Sequence, residues 1–340
     1  MNKLATIQKI HSITDHPNAD TLSCAFVMSW PVVVKREQFK EGELIVFIEI
    51  DSVVPETNYF EFMRKQKFRI WNARFRGCPS SGLVCPLSIL PIPTENVDLW
   101  LMGENPWTEG MDVSDILGIT KYERPIDITI GGDAAGGYPT NLISISDEDN
   151  VLSHASALSE LEGKEIYISQ KVDGSSSTFI WNNGDFSACS RRLIMKEGSG
   201  FPWRAVEKYD IKNKMIALGR NLAIQAEALG PKLNGNSLGL KDLEIKVFRV
   251  KDLDKRQVVN FYEMIGICEK LQLPHVDIID VCQFDKNKHT VEYFKCLADG
   301  QLWPNSKKPG EGIVIAPTIP FHSYILDKGW SLKVINQNYK

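Results

Sequence analysis

Turn-forming clusters cut the first 120 residues into apolar runs of strand length, which excludes a helical bundle for this part of the chain. The runs lie at 25–27, 32–34, 44–50, 68–70 and 83–86, and most are alternating or β-branched. Between them stand pieces such as His16-Pro17-Asn18-Ala19-Asp20 and Gly77-Cys78-Pro79-Ser80-Ser81-Gly82. Strands spaced this closely predict a small closed barrel, and an OB-like β-barrel over residues 1–125 fits the length. The longest apolar runs, such as Leu44–Ile48, are far too short for a membrane helix.

The pattern breaks at Gly131-Gly132-Asp133-Ala134-Ala135-Gly136-Gly137, which reads as a flexible linker within residues 126–150. Beyond it, over 151–340, the chain turns α+β. A short helix is expected at 156–161, a strand at 165–170 and one helix over 203–218, ending at Gly219. Strands follow at 223–228 and 244–250, a helix at 258–271 with Pro274 beyond it, and closing strands at 312–316 and 330–335. A total of 340 residues suits two such domains.

The seven cysteines are scattered, odd in number and without a Cys-x-x-Cys pair, which argues against a disulfide framework or zinc ribbon. With no secretory pattern in residues 1–13, an intracellular reducing compartment is expected, cytoplasmic or nuclear. His11 and His16, at close spacing, read as structural. The formal net charge of −4 hides an asymmetry. Residues 1–160 carry 13 Lys and Arg against 22 Asp and Glu, whereas residues 161–340 carry 26 against 21. The second half is modestly suited to meet phosphates.

The sharpest chemical signal is Lys171-Val172-Asp173-Gly174-Ser175-Ser176, where a strand gives way to a turn. Alone, Lys-x-Asp-Gly is a common surface turn. Four companions follow in order: Ser190-Arg191-Arg192, Gln225-Ala226-Glu227, Glu311-Gly312-Ile313-Val314-Ile315 and Ser331-Leu332-Lys333-Val334-Ile335. Each sets a charge beside a strand-like apolar run, which is costly unless the strand end lines a site.

In order and spacing these segments resemble the nucleotidyltransferase motifs of the covalent ligase and capping-enzyme superfamily. The resemblance tightens to ATP-dependent RNA ligases of the Naegleria type, which carry an OB domain before the catalytic domain. Gly230-Pro231-Lys232-Leu233-Asn234-Gly235-Asn236 is similar to a segment typical of RNA ligases, and residues 16–22, 46–55 and 69–87 resemble that subgroup too. The implied fold class is α+β, an N-terminal OB-like β-barrel followed by an ATP-grasp-like ligase domain of antiparallel sheets and helices.

The resemblance implies a lysine nucleophile, Lys171, which attacks the α-phosphorus of ATP once deprotonated, against an unperturbed pKa of about 10.4. It implies Mg2+ or Mn2+ held by Asp173, Glu227 and Glu311, with Asp173 and Glu227 also near the ribose. Gly174 belongs to the nucleotide turn, Arg191 and Lys333 would contact phosphates, and Phe248 would stack on adenine. Arg192 would touch nucleic acid. Arg191 and Arg192 are separated by strand alternation, which sends neighbours to opposite faces. Three positions depart from the family pattern: Gln170 stands for a glutamate, Ser331 and Ile335 flank Lys333 without a second lysine, and Asn150-Val151-Leu152 replaces an arginine-led triplet.

Residues 62–76 interleave Arg64, Lys65, Lys67, Arg69, Arg74 and Arg76 with Phe62, Phe68, Trp71 and Phe75. Basic chains can track phosphates while aromatics stack on bases; the alternative is an amphipathic helix leading into a strand with core aromatics. Arg64, Lys65, Arg74 and Arg76 are the candidate nucleic-acid contacts. The expectation is an RNA ligase that seals 3′-hydroxyl and 5′-phosphate RNA ends in RNA repair, on single strands or a nicked duplex, with no obligate protein partner and no membrane. The alternatives are an RNA-binding protein on a decayed ligase and a capping guanylyltransferase.

Overall fold

A computed structural model describes residues 3–91, 105–122, 132–236, 238–303 and 307–339. The chain divides into two compact units, the first ending at Pro125 and the second spanning Ile126–Tyr339.

In the first unit, Ala5–Asp15 is long enough to serve two neighbours. Residues 5–9 pair with Leu44–Ile48, and residues 10–15 pair with Leu22–Val27, with a register shift between Ile10 and Ser12. An irregularity of this kind bends a strand and lets it contribute to both halves of a curled sheet. Trp30–Lys35 and Leu83–Pro86 complete five antiparallel strands. Alternate residues, among them Ala5, Ile7, Val46 and Ile48, bury against Val54, Phe60, Trp107 and Val113.

The strand expected at 68–70 is not formed. Asn58–Gln66 is a 3-10 helix, and Lys67 and Phe68 leave it with φ of 53° and 58°. Arg69 makes a single bridge to Val53, while Phe68 and Ile70 are core. His16 is buried, as a structural residue should be. Its Nε2 meets the Phe75 carbonyl at 2.9 Å and its Nδ1 accepts the Asn18 N–H at 3.1 Å. Cys24 and Cys78 lie within 4.8 Å of it, but with both ring nitrogens engaged the imidazole serves to pin the 16–20 turn to the hairpin of Asn72–Phe75 and Cys78–Ser81.

Two sheets build the second unit. The larger has seven antiparallel strands in the order Ala134–Gly137, Leu193–Met195, Asp185–Cys189, Ser175–Asn182, Leu222–Leu229, Glu244–Asp252 and Gln257–Val258. One face packs on the helices Gly200–Tyr209, Ile211–Leu218 and Phe261–Leu271. The smaller has the order Asp149–Asn150, Leu332–Ile335, Gly312–Pro317, Glu165–Lys171 and Ile278–Gln283, antiparallel except for its first pair.

Two expectations need correction here. The helix over 203–218 is two helices, because Asp210 takes a left-handed φ of 52° and ends the first. The glycine-rich stretch, of which 132–137 is described, is no free linker: Ala134–Gly137 pairs with Leu193–Met195 at the sheet edge. An edge strand needs only backbone N–H and C=O groups, so glycine and alanine suffice. Residues 138–150 then pack on this unit, with Ile143 at 1% exposure.

Candidate active site

Strand alternation places the lysine. In Glu165–Lys171, Ile166, Ile168 and Gln170 are buried on one face, leaving Tyr167, Ser169 and Lys171 on the other. Pairing extends this face across the sheet: Ser169 opposes Val314, Val314 opposes Lys333, and Lys171 opposes Gly312. Lys171 and Lys333 therefore share one face, two strands apart. Gln170 points the other way, its amide donating to the Leu302 carbonyl at 3.1 Å. That departure from the family pattern faces away from the lysine.

Two glycines let carboxylates approach. A Cβ on Gly312, which has φ of 147°, would stand 2.0 Å from the Val334 oxygen. Its absence lets the strand start beside Lys171, and Glu311 Oε1 accepts from Lys171 Nζ at 2.6 Å. A Cβ on Gly174 would stand 2.3 Å from the Ala228 oxygen. The turn instead closes on the central strand, and the Gly174 N–H donates to Glu227 Oε1 at 3.1 Å. Asp173, between them, accepts from Asn234 Nδ2 and from the Tyr339 hydroxyl.

Burial alone drives the Lys171 ammonium down, yet Glu311, with Glu227 and Glu148 behind it, outweighs burial and holds the group above its ordinary value. Burial pushes Glu227 up to about 8, against the pull of Lys171 and with Glu311 and Asp173 adding to the rise. Glu311 Oε2 is buried without a hydrogen-bond partner. Crowded, half-neutralised carboxylates with an orphaned oxygen fit a hard divalent cation, which takes oxygen ligands.

A stability profile follows. Folded Glu227 keeps a proton that the unfolded chain releases near 4.5, so in metal-free buffer stability is lost as pH rises from about 5 to 8. Lowered Glu148 acts below that window and raised Lys171 above it. Denaturation midpoints at four pH values check this; Glu227→Gln should flatten the decline, and a flat profile in the intact protein would show Glu227 ionised.

A bulge organises the second wall. Val247 opposes Ala226 and Arg249 opposes Gln225, so Phe248 is an extra residue between them. Ile245 and Val247 face the helices, and past the bulge Val250 does so, which frees both Phe248 and Arg249 for the opposite face. Phe248 packs among Val172, Leu229, Val276 and Trp303, next to the nucleophile turn. Arg249 meets Glu148 at 2.9 Å and Gln225 at 3.4 Å. Although burial opposes it, Arg249, Lys333 and Lys171 hold the Glu148 carboxyl below its usual range. Asp147 faces Lys333 at 3.7 Å and Arg191 at 3.9 Å.

The structure thus gathers Lys171, Asp173, Gly174, Glu227 and Glu311, with Lys333 and Arg191 meeting at Asp147. Arg191 and Arg192 do not alternate on a strand. They form the turn closed by Ser190 N–H to the Leu193 carbonyl at 2.9 Å. Asn150 pairs with Lys333, and its Nδ2 is buried without a partner. Sequence reading missed the roles of Asp147, Glu148, Arg249 and Tyr339, and only the charges at 147–149 offered a signal. Arg64, Lys65, Arg74 and Arg76 belong to the first unit and are exposed, as are Phe62, Trp71 and Phe75. Arg64 is partly neutralised by Glu61 at 2.6 Å and Glu56 at 3.4 Å, and Arg69 by Asp51 at 2.7 Å.

An OB-fold domain family matches residues 4–87, and the RNA ligase family matches residues 164–335, just over half of the chain. The chain belongs to the RNA ligase family. The order of the two matches, OB fold before nucleotidyltransferase, is the one expected from sequence. Among solved structures, a ligand-free variant of Naegleria gruberi RNA ligase is 30% identical over 99% of this chain and 97% of its own, with a TM-score of 0.82. The same enzyme solved with pyrophosphate gives 30%, 99%, 97% and 0.81, and a variant solved with ATP and Mn gives 30%, 98%, 97% and 0.82. The phenylalanine–tRNA ligase β subunit of Trichormus variabilis is 27% identical over 157 residues, 46% of this chain and 18% of that protein's length. Among the described residues, no helix is long and apolar enough to cross a membrane.

Proposed function

We propose that this RNA ligase uses Lys171 as its nucleophile, ATP as its nucleotide and a divalent cation at Glu227 and Glu311. The observation that carries the reading is the half-buried Lys171–Glu311 pair at 2.6 Å, at the end of a strand and on the sheet face that also bears Lys333. The Lys171 amine attacks the α-phosphorus, forming a phosphoramidate bond as the bond to pyrophosphate breaks. AMP passes to an RNA 5′-phosphate, and a 3′-hydroxyl displaces AMP to form the phosphodiester. The Lys171 ammonium loses its proton to solvent before attack, and the Glu311 carboxylate, already accepting from it, orients the amine. Bound at Glu227 and Glu311, the cation supplies positive charge that favours the neutral amine and offsets charge on the departing phosphates.

Lys333 and Arg191 supply cations for the phosphates once Asp147 yields them. Phe248, re-aimed by its bulge, offers a ring to adenine, and Arg192 lies in the same turn as Arg191. Asp173 was expected as a third metal ligand. With donors from Asn234 and Tyr339 on its two oxygens, it suits the ribose better. The reading is tested with α-labelled ATP or GTP and Mg2+ or Mn2+. Covalent label from ATP is expected; label only from GTP, or none with either metal, overturns it.

The exposed aromatic and basic residues at 62–76 support RNA contact by the first unit on the 3′-hydroxyl side. Changing Arg64, Lys65, Arg74 and Arg76 together to alanine should weaken sealing roughly tenfold or more, and less so at higher salt, where phosphate contacts contribute less, while self-adenylylation is kept. Equal losses in both assays would remove that assignment.

A further inference from the structure

Tyr339 lies 166 positions from Asp173, yet its hydroxyl donates to Asp173 Oδ2 while Asn234 Nδ2 donates to Oδ1. A carboxylate on its own turns readily about its last torsion. Donors on both oxygens fix its plane, and since it can accept about four hydrogen bonds, ribose hydroxyls can add to those two donors.

The turn that presents Tyr339 is built independently of this contact. Asn336 is fully buried; its N–H donates to the Glu311 carbonyl at 2.9 Å, and its amide donates to the Gly310 carbonyl at 3.0 Å and the Gln301 carbonyl at 3.3 Å. The Gln337 N–H donates to Asp299 at 2.7 Å, and the Tyr339 N–H closes the turn on the Asn336 carbonyl at 3.1 Å. The same short segment therefore grips the backbone of Glu311 at one end and the side chain of Asp173 at the other. Losing the Tyr339 hydroxyl leaves every backbone anchor in place.

We propose that Tyr339 is a positioning residue for nucleotide binding, holding the Asp173 carboxylate in the orientation that receives the ribose hydroxyls. The proposal rests on the reading that Asp173 faces the ribose. The test is equilibrium binding of labelled ATP in a Lys171→Met background, where no covalent step consumes the nucleotide, with unlabelled 2′,3′-dideoxy-ATP as competitor. Adding Tyr339→Phe should weaken ATP binding about tenfold, the scale of one hydrogen bond to a charged acceptor. Affinity for the dideoxy competitor should stay unchanged. Unchanged or tighter ATP binding overturns the proposal, and so does an equal loss for both nucleotides, which would mark Tyr339 as packing alone. The underlying reading fails separately if the Lys171→Met chain, with Tyr339 intact, binds both nucleotides equally. No ATP binding at all would remove reading and proposal together.

Discussion

Lys171→Met abolishes label transfer from α-labelled ATP, by roughly 10³-fold or more, while ATP still binds. Methionine keeps the length of the side chain and removes the amine, so the loss isolates the nucleophile. It also deprives Glu311 of its 2.6 Å partner and Glu227 of the nearby cation. With that pull gone, Glu227 should retain its proton to higher pH still, because an uncompensated charge there is the costlier alternative. The variant's loss of stability with rising pH should accordingly run on past pH 8, where the Glu227 contribution in the parent levels off. Covalent label surviving in this variant would place the nucleophile at another residue.

Among the described glycines, Gly312→Ala should be the most damaging alanine substitution. The new Cβ would lie 2.0 Å from the Val334 oxygen and 3.0 Å from the Ile335 Cα, at a φ of 147° that non-glycine residues rarely adopt. Backbone strain and overpacking each cost about 1–3 kcal/mol, so a loss of roughly 2–6 kcal/mol is expected from the two together. Relief requires the Leu332–Ile335 and Gly312–Pro317 strands to part, which displaces Lys333 and Glu311. A 1 Å misplacement of reacting groups costs about 10²-fold, so any folded remainder should label poorly. Gly329→Ala is the control, since nothing lies within 4 Å of a Cβ there. Its stability should stay within about 0.5 kcal/mol. Denaturant melts and labelling rates measured side by side would decide; a stable, active Gly312→Ala protein would refute the steric argument.

Much of the site was legible because its signals are local. Lys171, Asp173 and Gly174 sit in one turn, and Glu311 and Glu227 are charges at or within strands otherwise apolar enough to be buried. The architecture was legible for a related reason, since hydrophobic period and turn residues act over a few positions. What escaped depended on long-range pairing. Nothing near Tyr339 in sequence points to Asp173, and nothing near Arg249 points to Glu148, 101 residues away. The Arg191-Arg192 pair read as strand because alternation was assumed across what is a two-residue turn. Ala134–Gly137 read as linker because side chains carry the sequence signal, whereas an edge strand is held by backbone. At 68–70 the apolar residues were correctly read as core, but two left-handed residues had already taken the chain out of the extended region.

The extra residue at Phe248 has a consequence for how this chain can vary. In a strand without a bulge, exchanging one side chain leaves its neighbours where they were. Here a one-residue deletion at 248 would restore ordinary alternation with Val247 still on the helix face and Arg249 still on the opposite one, because the residue removed is the extra one. Glu148 would keep its 2.9 Å partner, and every residue beyond would stay on its present side. At this one point the Glu244–Asp252 strand can therefore shorten by a residue at the cost of the Phe248 ring alone. Side-chain exchanges at 248 can be graded from phenylalanine to smaller apolar groups. A one-residue deletion in a stretch without a bulge would instead reverse the facing of the segment that follows.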